Sequence, residues 1–310
     1  MRVGIFVAET WDAASPLAEV RERACLAEAL GFAHGWVPYL PWSHDALALV
    51  QAAGAATSRL ELGSAVIPTY LFHPLALARQ AATVEAALAR PLALGIGCSN
   101  QLVIEMHGLA YERPARHVRE YLEVLHAARR GAGQVAYSGE LFRVNGLYAT
   151  PEPARGPILV GALGPRMLRV AGELSDGTLA TSCDPLAIER AVRPAICAAA
   201  REAGRAEPRV GAVVPVALTH DVAAAREQAR ERFGIYDSLP RYRRMLELGR
   251  AKSAAEICVL GGERELRARL REYADAGLSD FLAAPFAAGA DRAGSWRRTA
   301  ECLATLARES

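Results

Sequence analysis

Short apolar runs and amphipathic helical stretches alternate from one end of this chain to the other, and that alternation restricts the fold more than any other feature. Eight strand candidates stand out, at residues 3–7, 35–38, 60–67, 92–96, 158–161, 177–181, 210–219 and 280–284. Helical periodicity follows most of them, over residues 15–30, 45–56, 74–89, 116–130, 165–175, 185–203 and 221–233. A strand that is apolar on both faces needs cover on both sides, so the pattern predicts parallel strands with helices packed outside them. Eight such units are the number that closes a barrel. A doubly wound open sheet would want a glycine-rich turn after its first strand, and here that strand runs into Ala8-Glu9-Thr10-Trp11. The expectation is an α/β chain of the (β/α)8 TIM-barrel class, forming a single domain over residues 1–310.

Two stretches break the rhythm. Residues 134–149, QVAYSGELFRVNGLYA, alternate aromatic and polar groups around Ser138-Gly139 and predict a hairpin inserted after the fourth helix. Residues 234–262 carry IYDSLPRYRRMLELG between the seventh and eighth strands, and an aromatic, basic loop of that length at a barrel mouth reads as a lid or a subunit contact.

Charge and cysteine usage exclude several functions. The chain has 36 basic and 34 acidic residues, a net charge of +2, and no block of basic and aromatic residues that would track nucleic acid. No apolar run approaches the roughly 18 residues of a membrane span, and no charged and apolar leader precedes Arg2, so the expectation is a soluble, cytoplasmic protein. The six cysteines are scattered without a CxxC pair or a Cys/His cluster, which argues against a metal centre.

In a βα barrel the chemistry lies at the carboxyl ends of the strands. Those exits here carry Glu9 and Trp11, then Tyr39, Trp42 and His44, then Pro68, Tyr70, Phe72 and His73. Small residues dominate the next two exits, at Gly97, Cys98, Ser99 and Asn100 and at Gly161, Ala162, Leu163, Gly164, Pro165 and Arg166. The second of these runs from a strand into a helix, so open amide N–H groups and a guanidinium would meet an anion there. Two anion-friendly turns facing an aromatic wall suit a planar ring with a phosphate tail.

The ordered set LELGSAVIPTYLFHPLALARQAATVEAAL, LALGIGCSNQLVIE, RHVREYLEVL, PILVGALGPRMLRVAGELSDG and ADAGLSDFLAAPF resembles the luciferase-like flavin monooxygenase superfamily, in its branch dependent on the deazaflavin coenzyme F420. The resemblance covers nearly the whole chain. It implies a (β/α)8 barrel, commonly a homodimer, that acts on a small molecule and holds F420 across the barrel mouth. It also implies a non-prolyl cis peptide behind the ring, placed by matching at Ser64–Ala65, with Val66 and Pro68 following. The phosphate pocket it implies falls on Gly97, Cys98, Ser99 and Asn100 and on Ala162, Leu163, Gly164 and Arg166. Their small side chains would then admit the cofactor's tail to the main chain, with Arg166 and Arg169 widening a basic exit.

Sugar-phosphate dehydrogenases of the same branch carry an Asp-His pair after the second strand and a Glu after the fourth, where this chain has Tyr39-Leu40 and Asn100. A mouth walled by Trp11, Tyr39, Trp42, Tyr70 and Phe72 instead suits a larger, flatter, hydrophobic substrate, with Trp11, Trp42, Phe72 and His73 as the expected substrate-binding residues. The expected reaction is hydride transfer from reduced F420 to a conjugated C=C or C=N bond, with Glu9, Tyr39 or Tyr70 as the proton source. His44 is a further candidate for that acid, and His73 also reads as a helix-start residue. An FMN-dependent two-component monooxygenase and a non-catalytic flavin-binding barrel are the alternatives.

Overall fold

The structure, a computed structural model, describes residues 1–8, 16–131, 133–289 and 291–309. From the amino terminus the elements are β1 (Arg2–Phe6), α1 (Leu17–Leu30), β2 (His34–Val37), α2 (Ala46–Gly54), β3 (Glu61–Ser64), β4 (Ile67–Pro68) and α3 (Pro74–Leu88). There follow β5 (Leu92–Gly97), α4 (Gln101–Met106), α5 (Pro114–Arg129), the hairpin β6 (Gly133–Ser138) and β7 (Arg143–Tyr148), β8 (Ile158–Gly161), α6 (Pro165–Leu174) and β9 (Gly177–Thr181). Helix α7 (Pro185–Ala187) runs through a π turn, Ile188–Val192, into α8 (Arg193–Glu202) and then β10 (Arg209–Leu218). The last part comprises α9 (Val222–Phe233), α10 (Ile235–Ser238), α11 (Pro240–Leu248), α12 (Ala254–Ile257), β11 (Val259–Gly261), α13 (Glu263–Asp275), β12 (Asp280–Pro285) and α14 (Arg292–Arg308).

The barrel order β1-β2-β3-β5-β8-β9-β10-β12 closes on itself through parallel pairing of β12 with β1, so the eight-stave (β/α)8 cylinder expected from the alternation is the architecture found. Strands β5 and β12 are buried along their whole length, as cover on both faces requires. Helices start where short polar side chains cap them: Asp45 receives the Ala48 N–H, Asp221 that of Ala224 and Asp291 that of Gly294.

Two of the sequence-based boundaries change. The run 60–67 is not one strand: it breaks after Ser64 and resumes as β4, because Ser64 leaves the ladder with β5. Residues 234–262 are not open loop. The short amphipathic helices α10 to α12 fold there with Met245 and Leu246 buried, and β11 pairs with the overhanging end of β10, Val216 to Leu218. The segment is pinned at its return by Asp184, whose carboxylate accepts the N–H groups of Arg250 and Ala251, and by Asp237, which accepts that of Ala254.

The amino-terminal end of the barrel is plugged by charge. Asp280 accepts from Arg2 and Arg209 and from His34 Nε2 at 3.1 Å, while Glu61 takes a second bond from each arginine. The indole N–H of Trp36 donates to His34 Nδ1, so His34 is neutral with its proton on Nε2. Gly4 and Gly63 make room for these rings: a side chain at Gly4 would strike His34, and one at Gly63 would strike Trp36. Above the plug, Phe6, Trp36, Ala93, Leu159, Leu179, Val213, Leu282 and Ala284 fill the interior.

Burial pushes His34 below its ordinary value despite the hydrogen bond to Asp280. Burial likewise lowers His126, whose ring bonds the Leu174 carbonyl, and takes His117 down to about 4. Asp280 is held well below the carboxylate range: its burial works the other way but is outweighed by the bonds from His34 and Arg209. The signs follow. Below the ordinary histidine value of 6.5 the unfolded chain takes up protons that the fold refuses. Stability then falls by up to about 1.4 kcal/mol per pH unit for each such histidine. The Asp280 contribution survives until the pH drops through the carboxylate range. Urea midpoints should therefore fall between about pH 7 and pH 5, and His117→Phe should flatten that slope. An unchanged slope in the variant would refute the assignment.

Candidate functional site

The strand exits open into one cavity of about 1530 Å³. Its floor is the top of the barrel interior, Phe6, Leu179 and Val213, with Ala65 and Val66 pushed in beside them. The cause lies in β3. Where that strand leaves β5, the Ser64 hydroxyl takes over the ladder, donating to the Gly95 carbonyl at 2.9 Å and accepting the Gly95 N–H at 3.0 Å. The backbone then turns inward through a non-prolyl cis peptide, which lies at Ala65–Val66, one bond beyond the Ser64–Ala65 position expected from the sequence. Val66 packs into the hollow left by two glycines. A Cβ on Gly97 would stand 2.8 Å from Val66 Cγ2, and one on Gly161 3.3 Å from it. Gly97 is thus small because Val66 occupies its side-chain space, which corrects the expectation that a ligand alone demands it.

One wall is aromatic and apolar. Tyr39, Leu40 and Trp42 follow β2 and line the cavity, and Trp42 is 51% exposed at its rim. Phe72 stands behind Tyr39 in an edge-to-face pair at 5.7 Å and does not line the cavity. Burial and the nearby Asp45 carboxylate raise the Tyr39 phenol above its ordinary value, so it is protonated at neutral pH.

The opposite wall is made of helix starts and turns. Gly97, Cys98, Ser99 and Asn100 line it, with Ser99 in the left-handed region at φ 58°. Asn100 caps α4 by accepting the Val103 N–H at 3.0 Å. Leu163, Gly164 and Arg166 line it too, whereas Ala162 is buried beneath them. No side chain caps α6, so the N–H groups of Arg166 and Met167, both residues of the cavity lining, have no intrahelical or capping partner, and nothing stands within 4 Å of where a Gly164 side chain would be. These amides and the adjacent apolar floor fit a flat heterocycle with a phosphate tail.

Several expected site residues lie elsewhere. Tyr70 donates its hydroxyl to the Glu112 carbonyl at 2.5 Å and stacks on His117 at 3.8 Å, away from the cavity. His73 caps α3 through Nδ1, which accepts the Leu75 N–H, and His44 is exposed outside the cavity. Ser64 acts from beneath the floor. Arg169 does not widen the exit, because Glu173 and Glu202 hold it on the outer face of α6. Glu9 and Trp11 lie outside the described residues.

The inserted segments supply groups that strand exits could not reveal. The lid helices α10 and α11 contribute Tyr236, Arg241, Tyr242 and Arg244, and the hairpin contributes Glu140. Arg241 Nη1 lies 3.2 Å from Cys98 Sγ, and the Tyr111 hydroxyl donates to the same sulfur at 3.2 Å. The aromatic, basic composition of 234–262 signalled this lid, but Tyr111 stands alone in the sequence and nothing there tied it to Cys98. The hairpin is clamped to α5 by Glu120, whose carboxylate accepts the N–H groups of Glu140, Leu141 and Phe142.

The floor generates two expectations. Ser64→Ala should destabilise the protein by about 1–3 kcal/mol, since it strands a buried N–H and C=O on Gly95. Gly97→Ala should cost a similar amount, about 1–3 kcal/mol, and Val66→Ala in the same chain should recover much of it. Urea denaturation of the single and double variants measures both.

The luciferase-like monooxygenase family model matches residues 1–309. A 5,10-methylenetetrahydromethanopterin reductase of Archaeoglobus fulgidus is 29% identical over 205 residues, which span 66% of this chain and 60% of the relative's length. An F420-dependent glucose-6-phosphate dehydrogenase of Microbacterium testaceum is 28% identical over 291 residues, 85% of this chain and 86% of the relative. Among solved structures, an F420-dependent secondary alcohol dehydrogenase in complex with an F420-acetone adduct shares the fold with a TM-score of 0.83 at 17% identity, covering 99% of each chain. With a family match along almost its entire length, this chain belongs to the luciferase-like monooxygenase family.

Proposed function

We propose that the protein is an F420-dependent oxidoreductase, and more specifically a reductase in which reduced F420 supplies a hydride to a conjugated C=C or C=N bond of a hydrophobic small molecule. The observation that carries this reading is the division of the cavity. An apolar floor and aromatic wall face open helix-start amides and arginines across about 1530 Å³. Ala65, Val66, Leu179 and Val213 would support the ring, and the N–H groups of Arg166 and Met167 would receive the phosphate. The F420 dependence named for the glucose-6-phosphate dehydrogenase relative supports this choice of cofactor.

The wall chemistry supports the choice of substrate. Tyr39-Leu40 stands where sugar-phosphate dehydrogenases of the resembling branch carry an Asp-His pair, and the Asn100 side chain is engaged in capping, so the aromatic wall, unlike the arginine-bearing one, offers little to a sugar phosphate. Tyr39, which stands on the aromatic wall, is our candidate among the cavity's phenols to deliver a proton. Its phenol, like that of an ordinary tyrosine, is protonated at neutral pH, and Phe72 packs edge-on against the ring from behind.

Titration with F420 and with FMN tests the reading. F420 should bind and FMN should not; the reverse outcome would favour a flavin monooxygenase. With reduced F420 and a panel of polycyclic enones and cyclic imines, the absorption of the oxidised cofactor should return. Tyr39→Phe should then lower kcat by about 10²-fold or more while the Kd for F420 stays near wild type. A wild-type kcat in that variant would remove Tyr39 as the acid.

A further inference from the structure

The cavity lining holds five arginines, Arg113, Arg116, Arg166, Arg241 and Arg244, against two glutamates, Glu105 and Glu140. Glu140 is already shared by Arg113 and Arg116, at 2.5 Å each, and Arg116 also reaches Glu120. Glu105 accepts from Gln101 at 2.7 Å. Arg166, Arg241 and Arg244 are left with no carboxylate partner among the described residues. A guanidinium cannot shed its proton, so this excess of positive charge persists at any working pH.

The placement of the lid arginines is informative. Arg241 reaches Cys98, the residue after Gly97, and Gly97 pairs with Gly161 of the neighbouring stave three residues before Gly164. Its guanidinium therefore stands beside the two turns that suit a phosphate. Its contacts there are a thiol, which is a weak acceptor, and Tyr111, met through its hydroxyl and its ring at 5.2 Å, neutral partners that an anion would outcompete. Arg244 lies three positions further along α11, on the same helical face, and also lines the cavity. One phosphate is served by the α6 amides and Arg166. Two further planar cations on the lid call for additional carboxylates.

We infer that Arg241 and Arg244 of the lid helix form a second anion site, which takes the carboxylates of an extended acidic tail on the bound cofactor. The inference rests on the F420 reading, in which that tail is oligoglutamyl, and it assigns to the lid the discrimination between F420 and cofactors that end at a phosphate. Binding titrations followed by cofactor fluorescence test it, using F420 with short and long tails and the tail-less, phosphate-free deazaflavin FO. Wild-type protein should bind long-tailed F420 tighter than short-tailed, with an affinity that falls as salt is raised. The double variant Arg241→Ala/Arg244→Ala should lose roughly tenfold in affinity for long-tailed F420, lose the dependence on tail length and show a shallower salt slope. Its affinity for FO should match wild type, which also certifies that the variant is folded. Undiminished F420 affinity, or equal losses for FO and F420, would overturn the tail site while leaving the cofactor assignment standing. A wild-type protein that bound neither F420 nor FO would overturn both.

Discussion

The floor of the cavity depends on one side chain standing in for a length of β ladder. Between the paired residues Gly63 and Ala93 and the paired residues Ile67 and Ile96, the backbone of the third stave leaves its neighbour, and the Ser64 hydroxyl satisfies both polar groups of Gly95 across the gap. Without that bridge a buried donor and acceptor would be orphaned in the middle of the barrel wall, at a cost of about 1–3 kcal/mol. With it, Ala65 and Val66 are free to turn inward. Gly97 and Gly161 then provide the recess that Val66 fills, so the shape of the floor is decided by three adjacent staves together.

Around that floor the chain assembles two unlike surfaces from distant stretches. The aromatic wall comes from one short segment after β2, stiffened by Phe72 from the far side of β4. The polar wall is composite: turns from two neighbouring staves, the first turn of α6, and residues of the inserted lid. Apolar shape can be supplied locally, whereas a field of positive charge has to be gathered from several elements whose own carboxylates are occupied elsewhere.

The barrel was legible because burial on both faces leaves a two-state signature along the chain, apolar run or amphipathic stretch, and eight repeats of it admit few closures. The residues at strand exits were legible for the same reason. What could not be read was anything fixed by a partner far away in sequence. The run Gly63-Ser64-Ala65-Val66 does not itself mark which peptide is cis, and the bond from Ser64 to Gly95 beside it joins residues 31 apart. Tyr70 looked like a mouth residue until His117, buried on α5, drew its ring aside. Arg169 looked like part of the exit until Glu173 and Glu202 claimed it. The lid's composition was visible, but its meeting with Cys98 spans 143 residues.

The anchoring of that lid has a mechanical side. Asp184 and Asp237 grip the segment near its return, and β11 stitches its continuation to the protruding tip of the longest stave. At its leading edge it flows directly out of α9 with Gly234 as the joint. A span moored at both banks cannot drift from the mouth: two aspartates and a strip of borrowed sheet keep its arginines at a fixed height above whatever enters this barrel.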